Sequence, residues 1–317
     1  MRYVLGFDTS CYTTSVAAVS LDDYAYYSER RLLLVKEGAR GLRQSEALFQ
    51  HITALPDVVA ALMDKLGSEG EICAVCASSR PRDVEGSYMP VFLAGAGQAR
   101  QLASVMRRPY FETSHQQGHV SAAMVGNGEI KAPYLAVHLS GGTTEVLLCE
   151  GEALNLTLLG GSSDIHAGQL VDRVGVALKL PFPCGPHLEK LCEGVAAQQL
   201  LPASLNGLSC SFSGAEAACT RLIAQGMPSR QVAAEVYGLL ERTVYRLIST
   251  AAKQTGVKDV LLGGGIASSA RFKNEIVLRA QKAGEGIQLH FSRAELAGDN
   301  AVGVALIGAR RYLKERT

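Results

Sequence analysis

The segment SHQQGH, residues 114–119, places His115 and His119 four positions apart, just beyond a strand-like RRPYFETS. On a helix, side chains at i and i+4 share a face, so the two imidazoles can reach one ion of borderline softness such as Zn or Fe. A zinc peptidase of the HExxH type also needs a glutamate directly after the first histidine, to deprotonate the metal-bound water. Here that position is Gln116, an amide that cannot act as a base near neutral pH. The peptidase reading loses its chemistry, and two readings stay open: a metal pair, or two hydrogen-bonded or solvated histidines. Two ligands do not complete a metal site. His138, ending a buried strand pattern in VHLSGG, and Asp299, in GDN at the start of the last helix pattern, are candidates for the rest. His51, His166, His187 and His290 read as ordinary histidines.

Two loops could hold phosphate. In LSGGTTE, Gly141 and Gly142 free a turn from side-chain clashes, so successive amides can converge on an oxygen. In LLGGGIASSARF, Gly263, Gly264 and Gly265 join a buried strand to a helix N-terminus, where free amides and the dipole favour an anion. Neither is a Walker loop, GxGxxG is absent, and a tight turn alone would explain either one. A third polar cluster carries Asp172 on the polar side of a helix and Gly185 and Glu189 on a turn entering another. Carboxylates so placed accept sugar or substrate hydroxyls, or simply face solvent.

The elements behind these residues follow from periodicity. Strand patterns run through YVLGFDT (3–9) and TSVAAVSL (14–21), with SCYT as the turn. SEALFQHITALPDVVAALMDKLG is helical, with Pro56 marking a break or restart. EICAVCASS is a strand in which Cys73 and Cys76 face opposite sides, which favours core cysteines over a metal or redox pair, and FLAGAGQARQLASVMRR is a helix. After GNGEIKAP come strands at 134–140 and 143–150. Laying LGFDTSCYTTSVAAV over LAVHLSGGTTEVLLC with one gap pairs Thr13-Thr14 with Thr143-Thr144 and Asp8 with His138. This suggests a duplicated domain facing itself across a cleft, the alternative being two unrelated hairpins that share a Thr-rich composition. Helices follow at 166–180, with Leu170, Val174, Ala177 and Leu178 inward, and at 228–256, with Val232, Val236, Leu239, Leu240, Val244 and Leu247 on one face. A strand, glycine turn and helix follow in VKDVLLGGGIASSARF, and GDNAVGVALIGARRYLKE gives the last helix.

With 317 residues, the chain is long enough for two α/β domains, 1–125 and 126–317, the last helix (299–314) being free to pack back on the first. Charged residues make up 19% and the net charge is +1, so nucleic-acid binding needs a local patch such as Arg80, Arg82, Arg107 and Arg108. The start lacks a signal-peptide h-region and no stretch approaches a membrane span, which reads as cytoplasmic, with no membrane partner. The eight cysteines are scattered and read as reduced.

Taken in order, the motifs resemble the TsaD/Gcp family of tRNA threonylcarbamoyladenosine transferases, in the actin-like sugar kinase/Hsp70 superfamily. LGFDTSCYTTSVAAV is similar to LGIETSCDDTSVAV, SHQQGHVSA to NHxxGHLxA, and VHLSGGTTEV to xVSGGNTxL. SDIHAGQLVDRVGVALKLPFPCGPHLEKL, SFSGAEAA, LLGGGIASSARF and GDNAVGVA have counterparts in the same order. The resemblance implies two duplicated actin-like ATPase lobes (ASKHA, RNase H-like) around a central cleft. It implies transfer of threonylcarbamoyl from threonylcarbamoyl-AMP to N6 of the adenine next to the tRNA anticodon.

By position, His115, His119, His138 and Asp299 would hold one divalent metal, Fe or Zn, with Mg as a further option. His138, Leu139, Ser140, Gly141, Gly142, Asp172, Gly185, Glu189, Gly264, Gly265 and Ser269 would bind ATP or the acyl-adenylate. No covalent nucleophile is implied, and Asp8 is the candidate catalytic carboxylate. The implied partners are tRNA, a TsaB-like paralogue and a TsaE-like ATPase. The sequence departs from the pattern at Tyr12-Thr13, where the family has an acidic pair, at Ser269 for Asn, and in EGARGLRQSEALFQH for YGGVVPELASRxH. The alternatives are a divergent paralogue carbamoylating a small molecule, and a non-catalytic nucleotide-binding scaffold of the tRNA-modification complex.

Overall fold

From Tyr3 to Thr9 every residue of the first strand is buried, which marks a central strand covered on both faces rather than a half-wet one. The structure, a computed structural model, describes residues 1–10, 12–35, 42–128 and 130–316. Cys11 of the SCYT turn, residues 37–41 of the EGARGLRQSEALFQH stretch and Glu129 of GNGEIKAP lie outside the described residues. The chain divides into two units, Met1–Val125 with Gly298–Thr317, and Gly126–Ala297.

Unit one contains β1 (Arg2–Thr9), β2 (Thr13–Ser20), β3 (Tyr26–Leu32), α1 (Gln44–Leu66), β4 (Glu71–Arg80), α2 (Phe92–Met106), β5 (Tyr110–Ser114), α3 (His115–Ala123) and the last helix, Val302–Lys314. The sheet order is β3-β2-β1-β4-β5, with β1, β2 and β3 antiparallel neighbours and β4 and β5 parallel to β1. Leu55, Val58 and Leu62 of α1 and Ala96, Ala99 and Ala103 of α2 cover one face of this sheet. The last helix lies against β1, β4 and α3.

That approach depends on glycine. A Cβ on Gly6 would sit 2.5 Å from the Ala305 amide nitrogen, and one on Gly303 would sit 1.8 Å from the Gly118 carbonyl of α3. Pro56 does not break α1, which runs unbroken through it. The proline lies on the exposed face, while Leu55 and Val58 beside it are held in the core. β3 escapes the pattern reading because YYSERRL is a charged, largely exposed edge strand.

Unit two contains β6 (Tyr134–Leu139), β7 (Thr144–Glu150), β8 (Asn155–Ser162), α4 (Ala167–Ala177), α5 (Gly185–Leu191), β9 (Ser204–Asn206), β10 (Ser209–Ser211), α6 (Ser213–Ala224), α7 (Ser229–Thr255), β11 (Asp259–Gly263), α8 (Ala270–Ala283) and β12 (Gln288–Phe291). Its sheet order is β12-β11-β6-β7-β8-β10-β9. The first five of these, read from β8 to β12, repeat the connectivity of unit one: an antiparallel three-stranded meander with two parallel strands added at its first strand.

The two opening hairpins match without any gap. Thr9 pairs with Thr14 and Leu139 with Thr144, and each four-residue turn closes with the same bond, Ser10 N–H to Thr13 O and Ser140 N–H to Thr143 O. The gap expected from the sequence is therefore unnecessary. Ala177, expected inward, is exposed at the end of α4, while Leu170 and Val174 are buried. The core stripe expected on α7 is fully inside, but the helix is buried nearly all round. Glu235 is tolerated there because its carboxylate accepts from the Gln198 and Leu200 amides at 2.5 and 2.8 Å. The seven described cysteines are free and buried, and burial pushes the Cys76 thiol up to about 12, as expected of a core cysteine.

Candidate functional site

The histidine helix α3 begins at the residue the chemistry needs. Ser114 is its N-cap, accepting from the Gln117 amide at 3.2 Å, while the Gln117 side chain accepts from the Ser114 amide at 3.0 Å. SHQQ is therefore a capping box as well as half a metal motif. It holds His115 at the first helical position and His119 one turn later.

Behind His115 stands Asp8, fully buried near the end of β1. Its two oxygens lie 2.9 and 3.0 Å from His115 Nδ1, and it also accepts from the Ser78 hydroxyl. A carboxylate only accepts, so Nδ1 carries the proton and Nε2 is the nitrogen turned away from it. His119 Nε2 is 3.0 Å from His115 Nε2, and Asp299 Oδ1 is 3.3 Å from the first and 3.7 Å from the second. The ligand atoms of His115, His119 and Asp299 all lie within 4.8 Å of one another, and among the described residues no other such group of His, Cys, Asp and Glu occurs.

The electrostatics follow from this crowding. Burial pulls the His115 imidazole down, but the Asp8 carboxylate, and then Asp299, overcome it and bring the group up to about 9. For Asp299, burial pushes the carboxyl up. The hydrogen bond from His119, the two imidazoles and the Ser10 hydroxyl reverse that and hold it well below the usual carboxylate range. Asp299 lies in the segment before the last helix rather than at its first residue, and Asn300 accepts from the Val302 amide at the helix start.

The sequence assigned no part to Ser10 or Ser78, small hydroxyls whose spacing carries no signal. Tyr12 is exposed and Thr13 buried, so the carboxylates facing the histidines are Asp8 and Asp299 rather than a pair on the turn. Asp8 points at His115 from inside the core, where its carboxylate orients the imidazole. His138 belongs to unit two, half-buried near the end of β6, opposite Glu145 and Gly263 in register.

The other expected residues lie in unit two. Gly264 has φ +92°, and a Cβ there would meet the Leu139 carbonyl at 2.3 Å. A Cβ on Gly168, in the first turn of α4, would meet the Gly141 amide nitrogen at 2.6 Å. Backbone therefore packs on backbone: the turn holding Leu139, Ser140, Gly141 and Gly142 lies between the start of α4 and the glycine turn after β11. Gly141, Gly142 and Gly265 are exposed, while Leu139 is buried.

Ser269 caps α8, accepting from the Phe272 amide, and Glu189 accepts from the Arg271 amide at 2.8 Å. The Tyr237 hydroxyl donates to the Gly185 carbonyl at 3.2 Å. Asp172 accepts from the Cys184 amide at 2.9 Å, and burial raises its carboxyl. Asp172 and Glu189 thus each commit one oxygen to the main chain, a local role that their polar positions did not announce.

Asp164 was not foreseen as a site residue. It accepts from the Ser211 hydroxyl and the Phe212 and Ser213 amides at 2.6, 2.9 and 3.0 Å, pinning the SFSG segment. Of the four arginines considered as a basic patch, Arg80 is paired with Asp83, and Arg108 with Glu71 at 2.9 Å, which offsets part of that charge.

Residues 35–306 match the family TsaD, tRNA N6-adenosine threonylcarbamoyltransferase. The chain belongs to this family. A tRNA N6-adenosine threonylcarbamoyltransferase from Thermus thermophilus is 30% identical over 319 residues, covering 98% of this chain and 93% of the relative. One from Synechococcus sp. is 30% identical over 337 residues, covering 99% and 91%.

Among solved structures, full-length HypF in its phosphate- and nucleotide-bound form aligns with TM-score 0.60 at 12% identity, over 98% of this chain and 46% of HypF. The ROK hexokinase from Thermus thermophilus aligns with TM-score 0.53 at 16% identity, over 99% of both chains. At these identities the likeness concerns the fold, which is that of the actin-like ATPases (ASKHA). The family is one of acyltransferases and not of peptidases, in keeping with Gln116 where a peptidase needs its base. Among the described residues no helix is long and apolar enough to cross a membrane.

Proposed function

We propose that the chain is a metal-dependent transferase that moves a threonylcarbamoyl group from threonylcarbamoyl-AMP to N6 of the adenine next to the tRNA anticodon. One observation carries this reading: a member of this family directs His115 Nε2, His119 Nε2 and Asp299 Oδ1 at one point, with Asp8 fixing the His115 tautomer. Two imidazole nitrogens and a carboxylate oxygen suit Zn or Fe better than Mg, and the buried carboxylate behind a ligand histidine is the usual outer partner of such a site. His138 is the proposed fourth ligand. When bound, the metal supplies Lewis acidity at the carbamoyl carbonyl.

The chain's own groups do the holding. Amides of the Leu139–Gly142 turn and of the Gly264–Gly265 turn offset the phosphate charge, and Ser269, Asp172, Gly185 and Glu189 position the adenylate. The adenine amine forms the new C–N bond as the carbonyl–phosphate bond breaks, AMP leaves, and the amine proton passes to solvent. No covalent enzyme intermediate is needed. On this reading the protein works in the cytosol with tRNA and with TsaB-like and TsaE-like helpers.

The test is to incubate the purified chain with threonylcarbamoyl-AMP and unmodified tRNA, with and without those helpers. Modified adenosine is the expected product. Its absence in both arms, with nucleotide binding preserved, would overturn the reading in favour of a scaffold or of carbamoyl transfer to a small molecule.

A further inference from the structure

His51, which looks ordinary in the sequence, sits in α1 with no solvent-exposed surface and both ring nitrogens engaged. Nε2 is 2.7 Å from the Ser10 carbonyl oxygen, and Nδ1 is 2.8 Å from the Thr14 hydroxyl. A carbonyl can only accept, so Nε2 carries the hydrogen and Nδ1 accepts from Thr14, which fixes the tautomer. Burial lowers the imidazole, against the Ser10 bond and the Asp8 charge, in the same direction as the neutral ring that this geometry requires.

The ring joins the turn of the β1–β2 hairpin to its second strand, and Ser10 is held at three points. Its amide donates to the Thr13 carbonyl at 3.2 Å, its carbonyl accepts from His51, and its hydroxyl donates to Asp299 Oδ2 at 2.5 Å. With Oδ2 so occupied, Oδ1 is the Asp299 oxygen left facing His119 and His115.

We propose that His51 is a positioning residue: by fixing the Ser10 main chain it aims the Ser10 hydroxyl at Asp299 and so selects Oδ1 as a single-oxygen ligand. Its functional meaning rests on the metal reading above, whereas the chain of hydrogen bonds from His51 to Asp299 stands without a metal.

The experiment has two parts on the full chain. In metal-free protein, the histidine ¹⁵N spectrum should show His51 as the neutral Nε2–H tautomer. The carboxyl ¹³C signal of Asp299 should move in the same direction in His51→Leu as in Ser10→Ala. A different tautomer, or an unmoved Asp299 signal in folded His51→Leu, overturns the proposal whether or not metal binds. In the second part, Zn²⁺ affinity is measured by chelator competition.

His51→Leu should weaken Zn²⁺ affinity about tenfold, the low end for partners outside the ligand set. His51→Gln, which keeps a donor for Ser10, should recover most of the loss. The double variant with Ser10→Ala should be no weaker than Ser10→Ala alone, because one residue acts through the other. Additive losses would assign His51 a general packing role and overturn the proposal. Should wild type bind no Zn²⁺ while the spectra behave as expected, the metal reading falls and the hydrogen-bond chain survives.

Discussion

The β1–β2 and β6–β7 hairpins share register, turn length and the closing serine bond, yet they have been put to different uses. At equivalent places near the ends of their first strands stand Asp8, buried and bonded to His115, and His138, half-buried opposite Glu145. The second turn carries exposed Gly141 and Gly142, whereas the first carries exposed Tyr12. One copy of the backbone supports the hydrogen-bonded cluster of His115, His119 and Asp299 through Asp8 and Ser10. The other carries two exposed glycines on its turn, with the Gly142 amide donating to the Ser140 hydroxyl at 3.3 Å, and packs Gly168 against Gly141.

The comparison also explains Asp299. α3 follows β5, and the segment bearing Asp299 follows β12, the equivalent strand of the second repeat, but the last helix packs with α3 in unit one. The His115, His119 and Asp299 cluster therefore combines segments that follow equivalent strands of both repeats through one glycine-mediated helix contact.

That contact is where the comparison breaks most easily. Gly303→Ala puts a methyl into the Gly118 carbonyl, so α3 and the last helix must part. We expect a loss of about 3 kcal/mol in chemical denaturation, the upper range for overpacking, together with loss of bound metal. Asp8→Asn should keep the fold but release control of the His115 tautomer. Metal affinity should fall about 10- to 100-fold in chelator competition, while nucleotide affinity, which the proposed function assigns to the other repeat, stays unchanged.

The next effect is one of pH. A folded His115 at about 9 is raised above its unfolded value, so its contribution to metal-free stability is full at low pH and fades as pH rises through 9. Metal must displace that proton, so binding should tighten about tenfold from pH 7 to pH 8 with roughly one proton released, read by calorimetry in buffers of different ionisation enthalpy. Smallest is Gly142→Ala, where a Cβ meets nothing within 4 Å. We expect a stability change under about 0.5 kcal/mol and, if the turn amides receive phosphate, a measurable loss of ATP affinity.

Periodicity in the sequence was enough to find the buried strands and long helices, because β1, β4, β6 and β11 each contain a run of apolar residues. It passed over β3, β8, β9, β10 and β12, which are short, exposed or at edges, where side chains answer to solvent rather than to a core. At the candidate site, the His115 and His119 spacing was legible since both ligands share one helix. Asp8 as an orienting group, Ser10 and His51 were not, for their roles arise from a strand, a turn and a helix meeting in three dimensions. Pro56 misled because its usual cost falls on an exposed face that the buried residues beside it outweigh.

The central claim is that His115, His119 and Asp299 form one metal site, and titrating Zn²⁺ into metal-free protein tests it most directly. One ion per chain for wild type, with that ion lost in each of His115→Ala, His119→Ala and Asp299→Ala while ATP binding persists, is the result the account predicts. Unchanged stoichiometry and affinity in those three folded variants would contradict it.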